Sequence, residues 1–480
     1  VLRLDELQRI GIVAVFCLVV SICRAGESEQ VDYFADNALG NPLALVQHPA
    51  GIHSNGVTYI AYQGPLEDPY IVAYNHKTQQ WQGPVKAGTS DLGKNLHIKP
   101  KTDNHGKPTL LIDDLGYIHV FFGGHGAGSK YGNNPLGRGG VGRNKHVVSV
   151  KPHDISEWQE LDNISVFGTY NQAVKMDNGD IYLIYRHGAH RSDWVYQKSV
   201  DHGRTFAEPV SFLKHQQRTD LPATDSWYVW ATRGKNDDII FAYDYHLCWL
   251  QGEGPRGRGH VTERHDLYYM VFNTQSNSWR NIHNQSLAIP LTRELADKQT
   301  RVVETPEDHW TFMGSAHLDG QGYPHIALNS GRDTGVNTGG PKQTLYYRWD
   351  GTQWLGGKPV HSESLRNNTD TRGDFAVTSS NEVTFALGYE EQGSSIIGYL
   401  QSKDGGTTFN RTKSLLTSKN AEWALTALID NAHPEARLIV AEKLPGNQWH
   451  KIYLVGDNGP VPRARSEADV LTPDDTRVLQ

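Results

Sequence analysis

Cysteine is nearly absent from this chain, with three residues among 480. Two of them, Cys17 and Cys23, lie in an apolar N-terminal stretch. A chain processed there keeps Cys248 alone, which excludes an intramolecular disulfide and leaves a thiol that is buried, reactive or metal-bound. Methionine is as scarce, at three, against 48 glycines and 10% aromatic residues. That balance is the one expected of sheets joined by many tight turns. An excess of positive charge is also lacking. The net charge is −7 and the pI near 6.4, which argues against a general nucleic-acid binder. An anionic ligand would have to be met by positive charge focused at one place. No apolar run has the length of a comfortable membrane span. The segment GIVAVFCLVVSIC, Gly11 to Cys23, suits the core of an export signal cleaved near Ala25. A secreted or periplasmic protein without a membrane span is expected.

What the chain does have is a recurring strand rich in aromatic and β-branched residues. It reads VTYIAY from Val57, YIHVFF from Tyr117, DIYLIY from Asp180 and DIIFAY from Asp238. It returns as YPHIAL from Tyr323, VTFALG from Val383 and ARLIVA from Ala436. Turn signals such as Asn55-Gly56 and Asn178-Gly179 precede most copies. Seven blade-sized units at a near-regular spacing predict an all-β, seven-bladed β-propeller. Two segments, Ser199–Phe206 and Ser402–Phe409, match the Asp-box pattern S-x-D-x-G-x-T-F, which supports a propeller and is nearly silent on function. Residues 31–48 are expected to supply a strand that helps to close the ring. The long interval between Asp238 and Tyr323 holds an insertion, with a helical turn or two in LTRELADKQT from Leu291. The expected organisation is a signal over 1–25, one propeller over 26–460 and a disordered polar tail over 461–480.

Candidate chemistry is concentrated in blades two to four. His105 lies in a turn and His125 in GGHGAG, where glycines let backbone approach a ligand closely. Tyr170 sits in GTYNQA, Arg186 ends IYLIYRHG and Tyr228 sits in DSWYVW. Each alone reads equally well as a hydrogen-bonded core residue or a solvated strand end. Together they are more informative, because a propeller brings equivalent positions of successive blades to one axial face. A guanidinium, two imidazoles and two phenols without a carboxylate pair suit β-elimination on a uronic acid. There the carboxylate must be neutralised before the neighbouring proton can leave. Glycoside hydrolysis normally needs two acidic residues at a set separation.

The set His105, His125 in GGHG, Tyr170, Arg186 in YRHG and Tyr228 in SWYVW resembles the ulvan lyases of polysaccharide lyase family twenty-five, seven-bladed propellers that cleave a sulfated algal polysaccharide. The resemblance covers almost the whole mature chain. It implies cleavage at a glucuronate or iduronate linked to 3-sulfated rhamnose, leaving unsaturated uronate ends. It implies Arg186 as carboxylate neutraliser, Tyr170 as base and proton donor, and His105, His125 and Tyr228 as supporting or proton-transfer groups. Whether Tyr170 or His125 takes the proton stays open, and His146 in RNKHVV is a further candidate for the funnel. A sialidase-like glycoside hydrolase and a non-catalytic carbohydrate-binding propeller are the alternatives. No Phe-Arg-Ile-Pro segment supports the first, and fold alone does not exclude the second. A monomer is expected.

A second constellation is YDYHLCW…GRGHVTERHD. His246 and Cys248 alternate on one strand and share a face, with His260 and His265 following a Gly-rich loop. One thiolate with imidazoles makes a tetrahedral zinc set, and a closed four-ligand site is structural. The family resemblance likewise implies a structural zinc on a His-x-Cys pair and a following His. His265 is the expected fourth ligand.

Overall fold

The computed structural model describes residues 30–92, 102–103, 105–260, 263–337, 339–361, 373–444, 446 and 448–464. Among them, seven antiparallel sheets of at least four strands follow one another along the chain. Their innermost strands are Gly51–Ser54, Thr109–Ile112, Thr169–Lys175, Ala223–Arg233, His309–Leu318, Gly373–Ser379 and Glu422–Leu425. Successive innermost strands pack side by side from Gly51–Ser54 through Gly373–Ser379, and the last blade meets the first through backbone bonds between Gly51, His53 and Asp430, which is the propeller arrangement. Six sheets each come from one continuous stretch of chain. The remaining one joins both ends, because Ala35–Leu39 pairs antiparallel with Trp449–Gly456. The strand expected in residues 31–48 is this one.

Each recurring apolar segment is the second strand of its sheet: Val57–Gln63, Ile118–Phe122, Ile181–Arg186, Asp238–Trp249, Pro324–Arg332, Glu382–Glu391 and Leu438–Lys443. A second strand is covered by the adjoining sheets on both faces, so it reads as a nearly continuous apolar run instead of an alternation. Ile181–Arg186, for example, is buried at all six positions. The turn signals before these strands are the hairpins from the innermost strand. Asn55 (φ 51°) and Gly56 (φ 77°) are both left-handed, as a two-residue hairpin requires.

Both Asp boxes form the expected turns. Ser199 Oγ donates to Asp201 and accepts from Gly203 N, while Asp201 accepts from Thr205 N and Oγ1. Ser402, Asp404, Gly406 and Thr408 repeat the pattern. Phe206 packs edge-on against Phe121 of the preceding blade, and Phe409 against Tyr346 and Phe385. The insertion contains the helix Arg293–Gln299, capped by Thr292 Oγ1, which accepts from Leu295 N. No helix among the described residues is long and apolar enough to cross a membrane.

The 460 boundary needs correction. Arg463–Ala464 pairs with Gln30–Val31, and the Arg463 guanidinium donates to the carbonyls of Phe34 and Gly83, each at 2.7 Å. The start of the expected tail is therefore docked on the ring. Residues 465–480 and the expected signal over 1–25 lie outside the described residues.

The axis has a floor. Gln172 bridges to the next blade, donating to Val229 O (2.6 Å) and accepting from Ala231 N (2.7 Å). His48 stacks on Trp230 with ring centroids 3.7 Å apart.

Candidate active site and metal cluster

Tyr170 owes its position to a defect in the sheet. Pairing between Thr169–Lys175 and Ile181–Arg186 slips between Thr169 and Gln172, and Tyr170 takes φ 62°. A bulky residue in the left-handed region is strained, and such strain is held where a side chain must be aimed. Thr169 pairs directly with Arg186, so the bulge sets the phenol beside the guanidinium. Arg186 Cζ lies 4.8 Å from the Tyr170 ring centroid and 5.6 Å from that of Tyr228. The two phenol rings are 5.5 Å apart at 51°.

Arg186 is completely buried. Nε donates to Gly188 O at 3.3 Å and Nη1 to the Tyr228 hydroxyl at 3.4 Å, while Nη2 has no partner. A second arginine, Arg264, lies over Tyr228 at 4.0 Å with its Nε and Nη1 also unpartnered. No carboxylate pairs with either guanidinium among the described residues. Burial pushes the Tyr170 phenol well above its usual range, and the charge of Tyr228 adds to this. Burial acts the same way on Tyr228, but the charges of Arg264 and Arg186 outweigh it and lower the phenol.

The two histidines of blade two form one unit through a residue the sequence reading took only as part of a turn. The Asp103 carboxylate accepts from His105 Nδ1 at 2.5 Å and from His125 Nδ1 at 2.6 Å. Their rings stack 3.6 Å apart at 14°. With both protons held on Nδ1, both Nε2 atoms carry free lone pairs. Burial, together with the neighbouring His125, lowers His105 to about 4. Burial would raise Asp103, but the two imidazole hydrogen bonds hold it well below the usual range. His105 faces Tyr170 at 5.4 Å, so all five expected residues meet at one end of the funnel.

Three expectations change. His146 is buried between blades, with Nε2 2.9 Å from His119 Nδ1 and its ring on Phe121, and takes no part in the funnel. The glycines of GGHGAG serve packing between blades: a Cβ on Gly124 would meet Gly168 O at 2.0 Å, and one on Gly126 would meet Ala189 N at 2.4 Å. The third concerns the metal set.

His190, His246 and Cys248 offer ligand atoms within 4.8 Å of one another. His246 and Cys248 come from Asp238–Trp249, and His190 reaches over from the preceding blade. His190 Nδ1 and His246 Nδ1 are buried without a hydrogen-bond partner. Burial lowers both imidazoles well below their ordinary value, and buried Cys248 is raised. The His260 ring lies 4.8 Å from that of His190. His265 is not brought in. It pairs across the strands with Tyr245, opposite in parity to His246, and its Nε2 meets Glu263 Oε1 at 3.1 Å. The donor set of a soft thiolate and imidazoles with orphaned nitrogens fits zinc.

A propeller whose funnel gathers unpaired guanidinium groups, phenols and imidazoles is built to hold an anionic ligand. Residues 57–358 match the BNR repeat-containing family. The chain is 57% identical over 436 residues to an ulvan lyase of Alteromonas sp. (strain LOR), covering 91% of this chain and 89% of that one. It is also 57% identical over 435 residues to the PL25 ulvan lyase of Pseudoalteromonas sp. (strain PLSV), covering 91% and 88%. A solved PL25 ulvan lyase bound to -[GlcA(1-4)Rha3S]- superposes with a TM-score of 0.88 at 55% identity, over 93% of this chain and all of that one. The chain belongs to the ulvan lyases of polysaccharide lyase family 25.

Proposed function

We propose that this protein cleaves ulvan by β-elimination at the uronic acid linked to 3-sulfated rhamnose. The observation that carries the reading is the Arg186 guanidinium, wholly buried beside Tyr170 and Tyr228 with Nη2 free and no acidic partner among the described residues. A buried, unpaired cation is costly unless a ligand supplies the anion. The uronate carboxylate is that anion, and Arg186 neutralises it so that negative charge can build at the adjacent carbon. Tyr170, the less buried phenol of the two, exchanges protons with the sugar. Tyr170 acts from its phenolate form, which the charges of Arg186 and Arg264 favour against burial. The proton beside the carboxylate passes to Tyr170, the C–H electrons form the double bond, and the bond to the 4-linked oxygen breaks. Tyr170 then returns the proton to that oxygen. His105 and His125, locked by Asp103, present Nε2 lone pairs that accept sugar hydroxyls and fix the ring.

His190, His246 and Cys248 would hold a zinc ion, with His260 closing the set. Its contribution would be structural, tying the loop after Asp238–Trp249 to the preceding blade. Export fits an extracellular polymer as substrate. Absorbance of an ulvan solution tests the assignment. A rising ultraviolet band from a conjugated unsaturated uronate is expected. New reducing ends without the band would replace it with a hydrolase, and saturable binding without products would replace it with a carbohydrate-binding propeller.

A further inference from the structure

A second cluster of metal-ligating side chains lies on the other face of the ring. Tyr170 stands at the leading end of its innermost strand, whereas His53 stands at the trailing end of Gly51–Ser54, beside the hairpin turn. His76 follows the strand Pro69–Asn75 of the same blade. His433 and Glu435 come from the connection before Leu438–Lys443 in the last blade. His76, His433 and Glu435 offer ligand atoms within 4.8 Å of one another. The His53 ring is 5.1 Å from that of His76 and 5.4 Å from that of His433, and the latter two are 3.9 Å apart.

The groups are held in place. The buried Thr58 hydroxyl lies between His53 Nδ1 (3.1 Å) and His76 Nε2 (2.8 Å), which turns His76 Nδ1 toward Glu435 Oε2 at 3.0 Å. An outer hydrogen bond that fixes a ring and leaves the other nitrogen facing a carboxylate is the usual support of a metal-binding histidine. The loop is pinned by backbone bonds from His53 N to Asp430 O (2.8 Å) and from Asp457 N to Pro434 O (2.7 Å). Glu435 is half-exposed, so an ion has access from solvent. The only charged partners of its carboxylate among the described residues are these two histidines.

We propose that His76, His433 and Glu435, with His53 alongside, form a second metal site that takes a borderline transition-metal dication such as zinc. Two imidazoles and one carboxylate suit zinc, nickel(II) or copper(II), and are a poor set for calcium or magnesium, which want oxygen ligands. The bound ion would join the first blade to the last, a crosslink that this cysteine-poor chain does not make with sulfur.

Wild-type protein and the His76→Ala, His433→Asn and Glu435→Gln variants are dialysed against zinc(II), passed through metal-free buffer and counted by plasma mass spectrometry. Each variant should hold one equivalent fewer than wild type, with ulvan turnover unchanged. Equal zinc in wild type and all three variants would overturn the site. Cobalt(II) identifies which site is lost: loading at Cys248 gives thiolate charge-transfer absorption, and loading at the histidine–glutamate cluster gives none. Loss of the thiolate band in His433→Asn would therefore also overturn it. Should His76→Ala fail to fold, the more exposed His433→Asn carries the test by thermal melting. With the Cys248 cluster already loaded, further zinc should raise the wild-type midpoint and leave that variant's unmoved; an equal rise in both refutes the proposal.

Discussion

Replacing Arg186 by methionine separates what the residue does for turnover from what it does for the fold. The guanidinium is fully buried, its Nη2 has no partner, and Arg264 brings a second partly unpartnered guanidinium to the same phenol. Replacing buried ionic groups by apolar side chains of similar volume is often neutral or stabilising by about 1–4 kcal/mol. It also ends repulsion from Arg264. The melting midpoint of Arg186→Met should hold or rise by a few degrees. Activity should move the other way. A lost charge-assisted fork on the substrate carboxylate costs roughly 3 kcal/mol or more in the transition state, which is at least about a hundredfold in kcat/KM. Differential scanning calorimetry and the unsaturated-uronate absorbance give the two readings on one preparation. Arg186→Lys, which keeps the charge and loses the fork, should fall between wild type and Arg186→Met in activity. A melting midpoint lowered together with activity would show that Arg186 holds the fold. Near-full activity in Arg186→Met would remove it from the mechanism.

Asp103→Asn should lower kcat by about 10- to 100-fold with KM nearly unchanged, because an amide cannot accept from both imidazoles and the rings lose their shared tautomer; wild-type kinetics would show that the bridge is idle. Cys248→Ser and His190→Ala should each lose one zinc equivalent and melt at lower temperature, while His265→Ala keeps its zinc; loss in His265→Ala with retention in His190→Ala would reverse the ligand assignment. Stability should fall as pH drops from about 6.5 toward 4.5. Burial lowers His48, His105, His187 and His325 to about 4 and His146 to about 3, so the unfolded chain takes up their protons first. Glu67, raised by burial to about 8, and Asp244, raised by burial to about 7, oppose this by binding protons in the folded state, but they are fewer. Each net proton is worth about 1.4 kcal/mol per pH unit, so urea midpoints at pH 7 and 5 decide the sign.

The propeller was legible because every second strand is buried on both faces and leaves a continuous apolar imprint. The outer strands left a weaker trace, as Trp158–Leu161 shows with no fully buried position. In the site, His125, Arg186 and Tyr228 stood out through their flanking motifs, and the repeat placed them on one face. Asp103 did not, because its role is a contact between two loops with no local signal beyond a turn. His190 is four residues past Arg186 in RHGAH and could have been considered, yet its partners lie in the next blade. The error at His265 is one of parity. Arg264 faces His246 across the strands, so its neighbour His265 points to the other side.

The pairing of Ala35–Leu39 with Trp449–Gly456 has a consequence for biogenesis. The last blade needs a strand from each end of the chain, so the ring stays open until synthesis of the whole polypeptide is finished. Until then the sheet edges of the first and final blades are exposed and able to pair with other chains. A shortened product lacking either end would retain nearly all the funnel residues and still present an unpaired edge. Its fate would be set by aggregation or proteolysis rather than by any defect in catalysis.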